Sequence, residues 1–313
     1  MFYQNDPSAQ RIGEALVAAA GEGMAKAGLA STDFSLTLLL HPDAEKRSSA
    51  PPRGFAYRGA TSYYPCSVVK LFLVVAARQA LDEGRLTAHE ELSRAMQDMI
   101  RWSSNTATNY VIDLLSDTTG DTLLDDAAMR EWVVARSNIN LYYQRLEPEL
   151  CADINLSQKL MDDDRYGREK MFVRWQGRNN HNRLTSNAAA WLMAQVMCGD
   201  LMPAESAESV ARMLHRPIDD ADFVAVPSSQ IAGYLGGNLP AGATLWSKAG
   251  RTLWTGDALA SYRRHDLAHV KLDSGARFTL AVFTQGQAIA LDDRFLPGIG
   301  RMACELVGAA ADH

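Results

Sequence analysis

A serine and a lysine lie three residues apart within an apolar stretch of the chain. The run PCSVVKLFLVVAA, residues 65–77, contains Ser67 and carries Lys70 as its one charged side chain. On a helix this spacing puts both side chains on one face, one turn apart. Burial would disfavour the charged form of the lysine, and such a lysine can take a proton from a serine hydroxyl. The pair predicts an activated serine nucleophile; the alternative is a lysine whose ammonium group reaches solvent.

Two further polar motifs follow, each beside an apolar segment. Ser103 and Asn105 form Ser-x-Asn at the start of a predicted helix, in RWSSNTATNYVIDLL. Lys248, Ala249 and Gly250 lie in a predicted strand, in LWSKAGRTLW, just before the last predicted hairpin. Taken singly, Asn105 has the alternative of a helix-capping residue, and Lys248 that of an exposed strand charge.

In this order, the three motifs resemble the Ser-x-x-Lys, Ser-Asp-Asn and Lys-Thr-Gly set of class A β-lactamases and penicillin-binding proteins. The flanks are similar too: YYPCSVVK resembles the segment that leads into the family's nucleophile helix, and SSNTATNYVIDLL resembles SDNTAANLLL. The resemblance extends from about residue 10 to about residue 310. It implies a serine hydrolase that acts through an acyl-enzyme on an amide or ester bond.

The resemblance implies a role for each catalytic position. Ser67 is the acylated nucleophile, Lys70 helps to take its proton, and Ser103 relays a proton to the leaving nitrogen. In the class A enzymes a glutamate activates the deacylating water, and QRLEPELCADIN is similar to the loop that carries it. Glu147 is the expected base, with Glu149 as the alternative.

Substrate binding is expected from the second and third motifs. Asn105 positions the amide side chain of the substrate, and Lys248 supplies positive charge toward a substrate carboxylate. The backbone N–H groups of Ser67 and of the residue after the third motif form the implied oxyanion hole. The remaining substrate-binding residues are therefore Ala249, Gly250 and Arg251.

The chain departs from the family pattern at several site positions. Ser104 replaces the aspartate of the middle motif, and Ala249 lacks the hydroxyl that would bind a β-lactam carboxylate. Arg251 offers a guanidinium for the same carboxylate. Cys151 falls where the family has an asparagine that helps to hold the deacylating water, and a thiol is a poor ligand for water.

Three other features are interpreted through the same resemblance. Cys66 is expected to be a buried, reduced thiol, and the arginine that some members carry on the next strand corresponds to Arg263 or Arg264. Residues 152–185 form a charged, aromatic-bearing insertion, expected to cover the cleft or to build a different substrate pocket.

The order of predicted elements favours an α+β fold. A helix and two strand-like runs (34–41 and 55–64) precede a long helical block, and three strands and a closing helix follow it. We expect a five-stranded antiparallel sheet flanked by the terminal helices, with an all-helical lobe inserted. The predicted α/β lobe is 1–64 plus 223–313, the helical lobe is 65–222, and the catalytic cleft lies between them.

The composition excludes several classes of partner. The 313 residues carry a formal net charge of −6 and no clustered basic patch, so we expect neither nucleic acid nor membrane as a partner. The four cysteines form no Cys-x-x-Cys pair, and His265 and His269 lack an evident third ligand, so no metal and no cofactor is expected. The N-terminal segment reads as an amphipathic helix, which implies a cytoplasmic protein or one whose leader is missing.

The expected partner is a small-molecule or peptide-like amide or ester; the sequence does not define the oligomeric state. A β-lactamase is the first interpretation. The alternatives are an acyl-enzyme of the D-alanyl peptidase or esterase kind and a non-catalytic module that binds β-lactams or peptides.

Overall fold

A computed structural model describes residues 2–41, 51–120, 122–160 and 166–311. Its helices occur at both ends of the chain and in a long central block, as predicted. In chain order they are α1 Pro7–Lys26, α2 Val69–Asp82, α3 Glu90–Arg101, α4 Asn105–Ser116, α5 Asp126–Leu146, α6 Gly167–Val173, α7 Ser186–Met197, α8 Ala204–Leu214, α9 Ala221–Ala225, α10 Gln287–Leu291 and α11 Phe295–Ala311.

The strands cluster before and after the central helices. They are β1 Gln4–Asn5, β2 Phe34–His41, β3 Arg53–Tyr57, β4 Ser62–Tyr63, β5 Leu184–Thr185, β6 His215–Arg216, β7 Thr244–Ser247, β8 Gly250–Thr252, β9 Arg263–Lys271 and β10 Arg277–Gln285. The predicted run 55–64 is two strands rather than one, because the chain turns at Arg58, whose φ is 52°. Part of the polar segment before it, 42–50, lies outside the described residues.

The main sheet confirms the predicted α+β class. Its strand order is β1-β3-β2-β10-β9-β7-β6, and β8 also pairs with β9. The five-stranded antiparallel sheet is formed by β3, β2, β10, β9 and the interrupted strand β7/β8. The two-residue strands β1 and β6 extend its edges, and β1 pairs with β3 in parallel.

Alternation along the central strands assigns the two faces of the sheet. In β2, Leu36 and Leu38 join the apolar core with residues of α1 and α11 such as Leu16 and Leu296. The residue between them, Thr37, instead bonds the Ser186 hydroxyl of α7 at 2.9 Å. Because side chains alternate with period two, α1 and α11 cover one face and α7 covers the other.

The chain divides into two compact units. The sheet unit contains the residues up to Val68 and those from Thr185 onward, and the helical unit contains Val69–Leu184. The second boundary differs from the predicted one at 222: α7 and α8 belong with the sheet, because α7 packs on β2, β9 and β10. No helix in the described part of the chain is long and apolar enough to span a membrane.

Candidate active site

Ser67 lies in the sheet unit, in the single 3-10 turn Cys66–Val68 that leads into α2. Its neighbours Cys66 and Val68 are buried, whereas Ser67 is only half-buried. Cys66 has φ 50°, a left-handed conformation that is rare for a residue with a side chain. Its thiol is reduced, as predicted, and lies 3.6 Å from the Thr252 hydroxyl of β8. The strained turn thus leaves the serine as its accessible side chain.

Strand β8 passes close to the backbone of Ser67. A Cβ atom added at Gly250 would lie 2.5 Å from the Ser67 nitrogen and 2.7 Å from the Cys66 Cβ. Only glycine fits there, so the Lys-x-Gly motif brings the strand against the backbone N–H of Ser67. Arg251 follows on β8 opposite Arg264, with its side chain exposed.

Lys248 is fully buried, so the interpretation as an exposed strand charge is wrong. Its ammonium donates to the side-chain oxygen of Gln230 and, at 2.9 Å, to the Ala249 carbonyl. Gln230 has φ 57°, another left-handed residue at the site. Ala249 is itself fully buried and contributes no hydroxyl.

A buried carboxylate and guanidinium accompany Lys248. Asp266 on β9 accepts the backbone N–H groups of Leu235 and Leu267, both at 2.8 Å. Burial raises the pKa of Asp266 to about 6, although these hydrogen bonds, Lys248 and Arg216 oppose the shift. Arg216 on β6 is buried and donates to the Ser247 carbonyl at 3.0 Å.

Sequence reasoning missed three polar residues of this cluster: Arg216, Gln230 and Asp266. The one available signal was a carboxylate inside the apolar strand around HDLAHV, since an isolated charge in a buried strand needs partners.

In the helical unit, Lys70 is fully buried, which excludes the solvent-reaching alternative. Its Nζ donates to the Ser103 carbonyl at 2.5 Å, to the Ser103 hydroxyl at 3.1 Å and to Asn105 Oδ1 at 2.8 Å. These three acceptors are neutral oxygen atoms, from a backbone carbonyl, a hydroxyl and an amide. The structure thus brings the lysine of the first motif together with both polar residues of the second.

The segment before α4 positions these acceptors. Ser103 has φ 57°, and Ser104 caps the helix by accepting the Ala107 N–H at 3.2 Å. Because Ser104 is the cap, the capping alternative for Asn105 is wrong, and its amide oxygen is used for Lys70 instead.

Glu147 ends α5 as its C-terminal cap, and its side chain is half-buried, whereas Glu149 is exposed. The backbone carbonyl of Glu147 accepts a hydrogen bond from the Cys151 N–H at 2.9 Å. Burial, and secondarily the nearby Glu147 carboxylate, raise the pKa of Cys151 to about 12. Cys151 is therefore a neutral thiol at physiological pH, and a neutral thiol is a poor ligand for water.

The two candidate arginines of β9 are bound within the sheet unit. Arg264 is buried, donates to the Gly233 carbonyl at 3.0 Å and lies over the Tyr234 ring. Arg263 donates to the Ser261 carbonyl at 2.6 Å. Burial lowers the pKa of both guanidinium groups. These contacts give both arginines structural roles.

The insertion is anchored to the helical unit by buried amides and ions. Gln158 and Asn182 exchange hydrogen bonds, with Gln158 N donating to Asn182 Oδ1 at 2.9 Å and Asn182 N donating back at 3.0 Å. Glu169 pairs with Arg136 of α5 at 2.8 Å. In the described parts of the insertion, 152–160 and 166–185, these contacts fix the segments around Gln158, Glu169 and Asn182 within the helical unit.

Comparison with known proteins identifies this architecture. A model of the β-lactamase enzyme family matches residues 91–307, a span that begins after Ser67 and Lys70. A β-lactamase from Sphaerobacter thermophilus is similar at 20% identity and a TM-score of 0.62, over 94% of this chain and 97% of that one. PBP-A is similar at 16% identity and a TM-score of 0.60, over 99% of this chain and 98% of that one. A β-lactamase from Chitinophaga pinensis is similar at 16% identity and a TM-score of 0.59, over 98% of this chain and 100% of that one. No curated protein sequence matches the chain.

The fold and the described motifs define the class of serine acyl-enzyme hydrolases with a β-lactamase/transpeptidase-like architecture. The chain belongs to the β-lactamase enzyme family.

Proposed function

We propose that the protein is a serine hydrolase that cleaves an amide or ester bond through an acyl-enzyme on Ser67. The Ser67 hydroxyl attacks the substrate carbonyl while Lys70, in its neutral amine form, takes the hydroxyl proton and becomes an ammonium. The oxyanion is held by the backbone N–H groups of Ser67 and Arg251. When the carbon–nitrogen or carbon–oxygen bond breaks, the Ser103 hydroxyl passes a proton to the leaving atom. Water then releases the acyl group, with Glu147 as base.

The observation that carries this proposal is the contact between Lys70 and Ser103. Lys70 is fully buried and its Nζ lies 3.1 Å from the Ser103 hydroxyl, a hydrogen bond that supports proton transfer between the first two motifs. A lysine held only for packing has no need of a serine hydroxyl as one of its three acceptors.

Cationic groups support a substrate that carries a carboxylate. Lys248 is buried beside Ala249, and the exposed guanidinium of Arg251 follows two residues later. A variant of PBP-A has been captured as an acyl-enzyme with penicillin G. Penicillin G, which bears a carboxylate beside a strained amide, is therefore a suitable probe.

An intact-mass time course with penicillin G tests the proposal. We expect a covalent adduct on the wild-type protein, none on Ser67→Ala, and an unchanged adduct on Ser93→Ala, an exposed serine of α3. Ester substrates run in parallel separate a failed β-lactam from a failed nucleophile. If neither substrate class labels Ser67, the protein is a non-catalytic binding module and the proposal is wrong.

A long-lived acyl-enzyme, as in a peptidase-like or esterase-like protein, is the second candidate. It is favoured by Cys151, a buried neutral thiol beside Glu147 where class A enzymes hold water with an amide. Under this candidate the wild-type adduct persists, and Cys151→Asn speeds its decay by about tenfold or more, since one restored water contact is worth roughly 1.4 kcal/mol. Decay that is fast in the wild-type protein favours the β-lactamase instead.

A further inference from the structure

The α7 face of the sheet carries a cluster of metal-binding side chains that the proposed mechanism does not use. One atom from each of His41, Cys198 and His269 lies within 4.8 Å of the others. In the part of the chain that the structure describes, this is the one group of three or more histidine, cysteine or acidic side chains so arranged. All three residues belong to the sheet unit.

Strand alternation brings the two histidines to this face. His41 ends β2 opposite Arg277, and His269 lies opposite Thr279 of β10. His41, His269 and Thr279 therefore occupy the face that α7 covers, the face on which Thr37 bonds Ser186. Both histidines are buried, 7% and 1% exposed.

Thr279 orients both imidazole rings. Its hydroxyl oxygen lies 2.9 Å from His41 Nε2 and 2.9 Å from His269 Nδ1. If each ring binds a metal through its other nitrogen, the nitrogen near Thr279 carries the hydrogen, and both rings donate to the hydroxyl oxygen, which can accept two hydrogen bonds. Such an outer hydrogen bond is the usual way in which a metal-binding histidine is held in place.

Cys198 adds a softer ligand from the opposite layer. It is the C-terminal cap of α7, is half-buried and is not in a disulfide. As a helix-end residue it can adjust its position more easily than a residue within a strand.

The chemistry of the three donors selects the ion. Imidazole nitrogen and thiolate together are the ligands of Zn²⁺, and three protein ligands with a solvent oxygen are a common tetrahedral set. Bond lengths of about 2.0–2.3 Å place ligand atoms about 3.3–3.6 Å apart in a tetrahedron. From the 4.8 Å limit, the ligand atoms need to approach one another by at most about 1.2–1.5 Å, a movement within reach of the Cys198 side chain.

We propose that His41, Cys198 and His269 bind one Zn²⁺ ion, which fastens the end of α7 to the ends of β2 and β9. Binding converts the Cys198 thiol to a thiolate and releases its proton to solvent. The site is independent of the acyl-enzyme chemistry on Ser67. Its role is to stabilise the packing of α7 on the sheet.

Titration with ZnCl₂ of protein first freed of metal by a chelator tests this site. We expect one equivalent to bind, and we expect saturating Zn²⁺ to raise the Tm by several degrees, because the ion binds the folded state. Co²⁺ in place of Zn²⁺ should give the near-ultraviolet band of a thiolate–cobalt bond. Cys198→Ser should weaken binding by more than the roughly 10–100-fold lost with an outer hydrogen bond.

The matched control is Cys304→Ala, which removes a buried thiol on α11, the other face of the sheet. It should bind Zn²⁺ as the wild-type protein does. His41→Asn should abolish binding, and if that variant does not fold, Cys198→Ser at the half-exposed helix end decides the matter. Absence of stoichiometric Zn²⁺ binding, or equal binding by Cys198→Ser and Cys304→Ala, would overturn the proposal.

Discussion

Among the described residues of the helical unit, Lys70 and Arg136 are the two cations with no exposed surface, and they are held in different ways. Both are fully buried. Lys70 donates to neutral oxygens of Ser103 and Asn105. Arg136 instead lies between two carboxylates, Asp113 at 3.0 Å and Glu169 at 2.8 Å.

The different partners indicate different roles: Arg136 stabilises the helical unit, whereas Lys70 is suited to the proposed acylation. A guanidinium is always charged, so carboxylates suit it, and here the pairs tie the insertion to α4 and α5. Burial still lowers the pKa of Arg136 and raises that of Glu169, so the network is stable only while every member is present. A lysine among hydroxyl, amide and carbonyl oxygens has no carboxylate among these acceptors to hold it charged, and as a neutral amine it can take a proton from a serine, as the proposed acylation requires.

Removing the architectural cation gives the largest expected effect on stability. In Arg136→Gln, Lys159 is the cation that still pairs with Asp113 and Glu169 among the described residues, and the stacking of Arg136 over Trp132 is lost. We expect a loss of about 3–5 kcal/mol in the free energy of unfolding, measured by urea denaturation. Arg130→Gln, an exposed arginine on the same helix, should change it by less than about 0.5 kcal/mol. Similar losses of stability in both variants would show that the buried ion pairs of Arg136 do not stabilise the helical unit.

The rate of acylation should depend on the close approach of β8 to the backbone of Ser67. In Gly250→Ala, the new methyl group meets the Ser67 nitrogen and moves β8 away from the nucleophile. We expect the rate of adduct formation to fall by about 10²–10³-fold, as when one oxyanion donor is lost. Gly298→Ala in α11 has open space around it and is the control, with an unchanged rate. An unchanged rate in Gly250→Ala would show that β8 has no part in acylation.

A buried histidine of the sheet unit, His265, should make the stability of the protein depend on pH, because burial keeps its side chain neutral. Its Nδ1 accepts the Thr284 N–H at 3.0 Å, so Nε2 carries the proton and donates to the Tyr64 carbonyl at 2.8 Å. Burial lowers the pKa of His265 to about 3. Below pH 6.5 the unfolded chain binds a proton that the folded protein does not, so stability falls as the pH drops from about 6.5 to about 3.

The slope is about 1.4 kcal/mol per pH unit for one proton, and we expect His265→Gln to reduce the slope measured by urea denaturation with a chelator present. His41 and His269, whose pKa values burial also lowers, contribute to the remaining slope with the same sign. Asp266, with its pKa raised to about 6, acts with the opposite sign between about pH 4 and 6. An identical slope in His265→Gln would contradict the assignment.

Much of the fold could be predicted because it follows from local patterns. The apolar run around Lys70 predicted a buried lysine, and β2, β9 and β10 were evident from their composition and turns. Patterns predict the type of an element but not its packing partner, which is why α7 was placed with the wrong unit. Arg58 adopts a left-handed turn that no glycine or asparagine signals, so β3 and β4 were merged.

The missed site residues share one physical cause. Gln230 meets Lys248, and Cys198 meets His269, only through packing between segments far apart in the chain. A buried polar residue has a definite partner, but the sequence of its own segment does not name it.

The variant Lys70→Gln tests whether Lys70 is buried for chemistry rather than for stability. Its rate of acylation by penicillin G, followed by intact mass, should be compared with that of the wild-type protein, beside a thermal melt of both. We expect a folded protein whose Tm changes by only a few degrees and whose acylation is about 10²–10⁴-fold slower, the usual effect of losing a general base. A folded Lys70→Gln that forms the Ser67 adduct at the wild-type rate would contradict the account.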